Sequence, residues 1–336
     1  MLVSGMNKSN PILVEVTRGG AVESRHAGAC VIMDAGGKTL HAIGDGERMV
    51  FPRSAIKPVQ ALPLIETGAA DHFGVTDEEL ALACASHNGE AEHVSRVRAW
   101  LERMGLSQDD FACGVHTSLN IEVALDLARS GEENSRAHNN CSGKHTGFLC
   151  TAAYMKEPLA GYVKADHPVQ KRVAAAMEAM ADVRLSDGTC GVDGCGIPAC
   201  SMALRAIARA MARMTDPENL AAKRIVHAMA SHPELVAGTG RSDTQIMAAC
   251  GGRVVTKIGA EGVHIAIVPE RGIGIALKID DGNARASDVA MTNVLDALGL
   301  LDDDAKSALT ELLVTPLVNT LGETVGSIRP ASALKL

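Results

Sequence analysis

Between Ile12 and Ile43 the apolar residues fall in three short β-leaning runs, Ile12 to Thr17, Ala29 to Met33 and Thr39 to Ile43. Arg18-Gly19-Gly20 and Asp34-Ala35-Gly36-Gly37 separate them and read as turns, so the runs predict strands and the second turn an antiparallel hairpin. From Ser54 to about Ala249 the apolar spacing becomes three and four residues. It predicts helices over Glu92 to Met104, Ile121 to Arg129, Gly147 to Tyr154, Val169 to Ala181, Ala199 to Met214 and Asn219 to Ala230. Asn139 to His145 and Asp187 to Pro198 read as loops. After Gly251-Gly252 the strand pattern returns at Val254 to Ile258, Val263 to Val268 and Gly272 to Ile279, followed by helices over Ala286 to Leu298 and Ala305 to Leu313.

Strands at both ends of a helical middle predict an α+β fold, with one antiparallel sheet built from the N- and C-terminal strands and a large helical insert beside it. The protein is expected to be a single domain over residues 1–336, its strands in about 11–44 and 253–280 and its helical part in about 54–250. A groove between sheet and insert is the natural place for a site.

Composition narrows the function. With 336 residues, 46% of them hydrophobic and 21% charged, the protein is long enough to bury a sizeable core. A net charge of −8 and only 2% aromatic residues exclude a nucleic-acid partner, which calls for basic faces and stacking platforms. The opening MLVSGMNKSNPILVEV lacks a basic stretch followed by a long apolar run, and no segment approaches the roughly 20 apolar residues of a membrane span. A cytoplasmic protein is expected. Nine cysteines, an odd number, argue for reduced thiols, with or without a metal, over a disulfide framework.

Three segments carry candidate chemistry. In Phe51-Pro-Arg-Ser54-Ala-Ile-Lys57-Pro58 a serine stands three residues before a lysine, at a helix start where a cation is disfavoured. Pro58 suits only a first turn, which puts Ser54 at the helix threshold. An ordinary helix start is one reading; a hydroxyl activated by a desolvated, neutral lysine is the other. In Cys84-Ala-Ser86-His87-Asn88-Gly-Glu90 an apolar run opens into a polar loop, with Ser86 either a helix cap or a site residue. In Lys257-Ile-Gly259-Ala-Glu-Gly262 a lysine sits within a strand, either guarding an edge or aimed at a substrate, with glycines that permit close backbone approach. The order Ser-x-x-Lys, Ser-x-Asn, Lys-x-Gly is similar to the signature of serine β-lactamases and penicillin-binding proteins.

Asn139 to His145, with Cys141, and Gly188 to Pro198, with Cys190 and Cys195, are the two most loop-like cysteine-bearing segments, and thiolates and imidazole are the usual zinc ligands; yet no Cys-x-x-Cys is present and Cys141-x-x-Lys144 matches no common zinc pattern. Cys30, Cys84, Cys113, Cys150, Cys200 and Cys250 lie in apolar runs and read as small core residues. Gly238-Thr-Gly-Arg241-Ser-Asp243 is either a solvated loop or a substrate contact, with Asp243 holding an amino group or pairing with Arg241.

Taken together, the three segments above with Asn140-Cys141-Ser-Gly-Lys144-His145, Asp193-Gly-Cys195-Gly-Ile-Pro198 and Gly240-Arg241-Ser-Asp243 resemble the rhizobial-type (class 3) L-asparaginases, from about Val14 to Leu300. The resemblance implies a serine β-lactamase or glutaminase-like fold, usually a homodimer. It implies hydrolysis of L-asparagine to L-aspartate and ammonia by two Ser-Lys tandems, Ser54 with Lys57 and Ser86 with Lys257. It further implies a zinc ion on Cys141, Lys144 and Cys195 with Asp193 beside it, helping to bind substrate. Arg53, His87, Asn88, Arg241 and Asp243 are the expected substrate contacts. Such a site would form an acyl-enzyme, either Ser54 or Ser86 attacking the side-chain amide. A glutaminase or another β-lactamase-fold serine amidohydrolase is the alternative, and a zinc-binding scaffold without catalysis a third reading.

Overall fold

The computed structural model describes residues 9–131 and 133–334, so the first eight residues of the opening segment lie outside it. The fold begins with β1 (Ile12–Arg18), which turns at Gly19-Gly20 and runs back along β2 (Ala21–Asp34). β3 (Thr39–Ile43) pairs with the end of β2, giving the expected hairpin. Two short pairs follow within the insert: β4 (Met49–Val50) with β7 (Met202–Ala203), and β5 (Cys190–Val192) with β6 (Pro198–Cys200). The backbone then returns through β8 (Val255–Gly259), β9 (Val263–Val268) and β10 (Ile273–Ile279). It finishes on β11 (Thr315–Val318) and β12 (Thr324–Pro330). The sheet order is β11-β12-β1-β2-β10-β9-β8, with β3 joined to β2, and its pairs are antiparallel. This terminal sheet with a helical insert is the α+β layout expected from the sequence.

Both faces of the central strands are covered, which is why their runs read as nearly unbroken apolar stretches. Ala29, Val31 and Met33 of β2 join the core shared with the insert, while Cys30 and Ile32 face the opposite core. There Ile275, Leu277 and Ile279 of β10 meet Val289, Ala290 and Val294 of the helix Ala284–Ala297. The insert's helix Leu204–Arg213 lies so close on β10 that a Cβ at Gly274 would fall 2.1 Å from the Ala212 nitrogen. Only glycine admits that approach. Among the described residues no helix is long and apolar enough to cross a membrane.

Several expectations change. The helix predicted from Ala199 starts at Leu204, because Pro198–Cys200 and Met202–Ala203 are strands. Ser142–Tyr154 is helical from its first residue, so Lys144 sits in a helical first turn. The second C-terminal helix is broken into Asp303–Ala308 and Thr310–Leu313, and the pair β11–β12 was not anticipated. Cys190 and Cys200 form a disulfide across the β5–β6 hairpin, which corrects both the reduced-thiol expectation and the placement of Cys200 in the core. Cys30, Cys84, Cys113, Cys150 and Cys250 are buried free thiols as expected.

Candidate active site

Where β8 meets the insert, the backbone of Pro52–Ala55 passes so close to the sheet that a Cβ at Gly259 would fall 2.7 Å from the Pro52 carbonyl oxygen. Residues Arg53–Ile56 make a single 3-10 turn, and the α-helix starts at Lys57 with Pro58 in its first turn. Arg53 holds a left-handed φ of 51°, a conformation costly for a side-chain-bearing residue and typical of sites that over-determine their backbone. Ser54 is therefore presented at the helix threshold, partly exposed. Its hydroxyl has no hydrogen-bond partner among the described residues.

The segment Ala85–Gly89 is polar yet buried, because neighbouring backbone segments satisfy its own. Ser86 and Asn88 donate to the carbonyls of Val236 and Ala237, and His87 donates to Asn140. Ser86 is thus a site residue and not a cap; the following helix Ala91–Arg103 is capped by Glu90, whose N–H is accepted by His93.

Lys57 is completely buried, and its amine converges on three groups. It lies 3.0 Å from Ser86 Oγ and 3.1 Å from Cys141 Sγ, and it also donates to the Ala85 carbonyl. Burial holds its proton affinity below that of a free lysine, against the pull of Cys141. The expected tandems are joined differently in the structure: the hydrogen bond runs from Lys57 to Ser86, and Lys257 binds neither serine. The Lys257 amine, also fully buried, donates to its neighbour's carbonyl at Ile258 (2.7 Å) and lies 3.8 Å from Asp243 Oδ2. Burial pulls its pKa down to about 7 although the Asp243 charge opposes this.

The site opens into a pocket of about 420 Å³ lined by Arg53, Ser54, Ser86, Cys141, Asp193, Cys195 and Arg241. His116, Leu119, Asn139, Asn140, Ala260 and Ala284, none of them named as a candidate site residue from the sequence, also line it, with Gly194, Ile258 and Gly259. The Asn139-Asn140 doublet was the visible signal, in a segment notable otherwise for its cysteine. His116 contributes a ring Nδ1 without a hydrogen-bond partner among the described residues. Nothing around it in sequence marks it as a site residue.

Asn88, His87 and Asp243 stand behind this wall. Asn88 accepts from Arg241 Nη1 (3.1 Å) and donates to Glu90 and Thr239, so it aims Arg241. His87 accepts the Gly89 N–H on Nδ1, which leaves Nε2–H to donate to Ser142 Oγ at 2.9 Å. Burial, then the neighbouring His93, keeps that ring neutral by holding its pKa far below the ordinary value. Asp243 is paired with His264 and the Ile258 N–H, not with Arg241.

On the other side, the β5–β6 hairpin brings in Asp193 and Cys195. Arg53 donates to Asp193 Oδ1 from Nη2 at 3.0 Å and from Nε at 3.3 Å. Burial would raise this carboxyl, but Arg53 and the charge of Lys144 hold it below its usual range. Lys144 Nζ lies 3.1 Å from Cys195 Sγ. The Cys195 hydrogen bond, with the charges of Lys57 and Lys144, draws Cys141 far below an ordinary thiol against its burial, while the same bond raises Cys195. Two sulfur atoms, with Cys141 drawn toward thiolate and Cys195 away from it, thus meet the side-chain nitrogens of Lys57 and Lys144 behind the Cys141–Cys195 wall of the pocket. Among the described residues no group of three or more His, Cys, Asp or Glu side chains is placed to hold a metal, so a metal here would need the lysine as a ligand.

Among solved structures the protein is similar to Mglu in its native form, at 15% identity with a TM-score of 0.47, over 83% of this sequence and 67% of that one. It is also similar to a β-lactamase from Mycobacterium bovis, at 14% identity with a TM-score of 0.42, over 85% of this sequence and 94% of the other. No curated protein matches the sequence. The profile of the L-asparaginase II family matches residues 14–330, nearly the whole of the sequence. The protein belongs to the L-asparaginase II family.

Proposed function

We propose that the protein is an L-asparaginase, hydrolysing L-asparagine to L-aspartate and ammonia by Ser-Lys nucleophilic catalysis. The observation that carries this reading is the buried Lys57 amine held 3.0 Å from Ser86 Oγ, beneath a pocket that Ser54 and Ser86 both line. The pocket's cations suit an amino-acid substrate: Arg241, aimed by Asn88, can take the α-carboxylate.

Ser54 is the nucleophile in this reading, because its hydroxyl is partnerless and open to the pocket, and Lys57 is the base that takes its proton. The new Ser54 ester bond forms as the carbon–nitrogen bond of the substrate's amide breaks. The proton passes from Lys57 through Ser86 to the leaving ammonia. Water then attacks the ester and the serine regains its proton. The Lys57–Ser86 bond favours a second reading in which Ser86 itself attacks. Peptide mass spectrometry of acid-quenched enzyme with asparagine separates the two by the serine that carries the aspartyl group.

The donor set of Cys141, Cys195 and Lys144 fits zinc, which takes thiolate sulfur and nitrogen. Cys141 is already drawn toward thiolate, and the Lys144 amine is within hydrogen-bond range of Cys195. These three residues would hold the ion, with Asp193 beside them. Bound there, zinc would supply positive charge to the pocket wall for substrate binding. A homodimer belongs to the same reading and rests on the resemblance alone; a cytoplasmic location is proposed with it from the sequence pattern, and the Cys190–Cys200 disulfide counts against a reducing compartment.

Ammonia release from L-asparagine is the test, with L-glutamine and a chromogenic β-lactam in parallel. Release from asparagine well above the other two supports the assignment, and none from asparagine overturns it.

A further inference from the structure

Behind Lys257 lies a buried polar cluster that the proposed chemistry does not use. Asp243 is fully buried, and both of its oxygens are engaged. Oδ2 accepts the edge N–H of Ile258 at 2.9 Å and faces the Lys257 amine at 3.8 Å, beyond hydrogen-bond range. Oδ1 is 3.0 Å from Nε2 of His264, a ring with no solvent exposure. A carboxylate only accepts, so Nε2 carries the hydrogen. On the far side His264 Nδ1 has no hydrogen bond among the described residues and lies 3.8 Å from Asp288 Oδ1, which accepts from Ser242 Oγ at 2.8 Å.

We propose that His264, backed by Asp288, is a positioning residue for Lys257: it holds the Asp243 carboxylate near the amine but off it. This role in catalysis rests on the asparaginase reading. The geometry argues for it in two steps. A buried carboxylate facing a buried ammonium would ordinarily close into a direct ion pair and fix the lysine in its charged form. Here the imidazole and the Ile258 N–H anchor both oxygens, and the amine turns to the Ile258 carbonyl instead. Lys257 stays beside a counter-charge without being locked to it, so it can lose and regain a proton. The charged and titratable groups that bear on it are Asp243 and Arg241 at the start of the helix Ser242–Ala249, Lys57 from the insert, and Cys141 before the helix Ser142–Tyr154. None of these besides Asp243 touches His264, so changing the ring acts on Lys257 through Asp243.

The experiment is an NMR titration of full-length protein carrying ¹³C-labelled lysine, with the Lys257 signal assigned by its loss in Lys257→Met. The wild-type midpoint is expected near 7. In His264→Leu the freed carboxylate closes on the amine, and the midpoint moves up by about one pH unit or more. His264→Gln, whose amide can still donate to Asp243, stays within about 0.3 unit of wild type. A wild-type midpoint in the Leu variant, or equal shifts in both variants, overturns the proposal. Where circular dichroism shows the Leu variant unfolded, His264→Asn, polar but too short to reach Asp243, takes its place with the same two outcomes. No substrate is present, so the result stands apart from whether asparagine is hydrolysed. An unmoved midpoint with ammonia release intact removes this role alone.

Discussion

Lys57 and Ser86 are 29 positions apart in sequence, yet the amine of one lies 3.0 Å from the hydroxyl of the other, both of them buried. The contact exists because the Ala85–Gly89 segment is stitched to Val236, Ala237 and Asn140 by its backbone, which lays Ser86 over the start of the Lys57 helix. Removing either end breaks the proton path. Ser86→Ala and Lys57→Met should each lower kcat by about 10²–10⁴-fold with little change in KM, the range for a lost acid–base group. Steady-state ammonia release from asparagine measures this. A KM effect with kcat intact would place the pair in binding, not in chemistry.

Arg241 is held for its task by Asn88, so the two should fail together. Asn88→Ala frees the guanidinium, and Arg241→Lys removes the planar fork that a carboxylate recognises. Both variants should raise KM for asparagine roughly 10–100-fold, a loss of about 1.4–2.7 kcal/mol, and the double variant should cost little more than Arg241→Lys alone. Additive losses would mean that Asn88 does not act through Arg241.

Lys257 ties stability to pH. Its pKa is about 7 in the folded protein and that of a free lysine, 10.5, in the unfolded state. Between those values the unfolded state binds the extra proton, so this residue makes stability rise with pH from about 7 to about 10.5, by up to about 1.4 kcal/mol per pH unit. Lys257→Met, which fills the space without a charge, should flatten that rise. Urea unfolding at several pH values across the window tests it, and an unchanged slope would show that the buried amine stays charged.

How far these groups could be read from the sequence depended on what made each one conspicuous. Ser54, Lys57, Ser86 and Lys257 stood out because each breaks a local rule: a cation at a helix start, a polar stretch after an apolar run, a lysine inside a strand. The central strands were legible for the same reason of pattern. β11 and β12 were not, because Pro316, Asn319 and Gly322 interrupt any alternation around them. The hydrogen-bonded pairing of Lys57 with Ser86, the Cys190–Cys200 bridge and the cluster of His264, Asp243 and Asp288 depend on contacts between distant segments. No spacing along the sequence encodes them. Asp243 was noticed beside Arg241, its neighbour in sequence, whereas its partners come from β8 and β9.

The metal reading makes a direct demand on composition. Protein purified without chelator should carry about one zinc per molecule by elemental analysis, and Cys141→Ser and Lys144→Met should each lose most of it. Lys144→Met separates this site from an ordinary cysteine pair, because only a lysine ligand would matter there. Zinc retained in the Met variant would exclude Lys144, and absence of zinc from the wild type after growth with added metal would exclude the site.

The disulfide and the pocket meet in the β5–β6 hairpin, whose connecting turn presents Asp193 to Arg53 and Cys195 to Lys144. The bridge closes a loop with its cysteines ten positions apart, a constraint worth about 2–3 kcal/mol on the loop-entropy account. Breaking it leaves two three-residue strands to hold the turn, and strands that short are marginal alone. Cys200→Ser, or treatment with a dithiol reductant, should therefore raise KM for asparagine several-fold. Global stability should fall by no more than that same figure, because the hairpin supplies only Cys195, Ile197 and the partly buried Cys200 to the insert's large core. Hydrogen exchange should show the reason directly, with faster exchange confined to residues 189–201. Unchanged exchange there in the reduced protein would mean that the Arg53–Asp193 ion pair, not the bridge, holds the hairpin against the site.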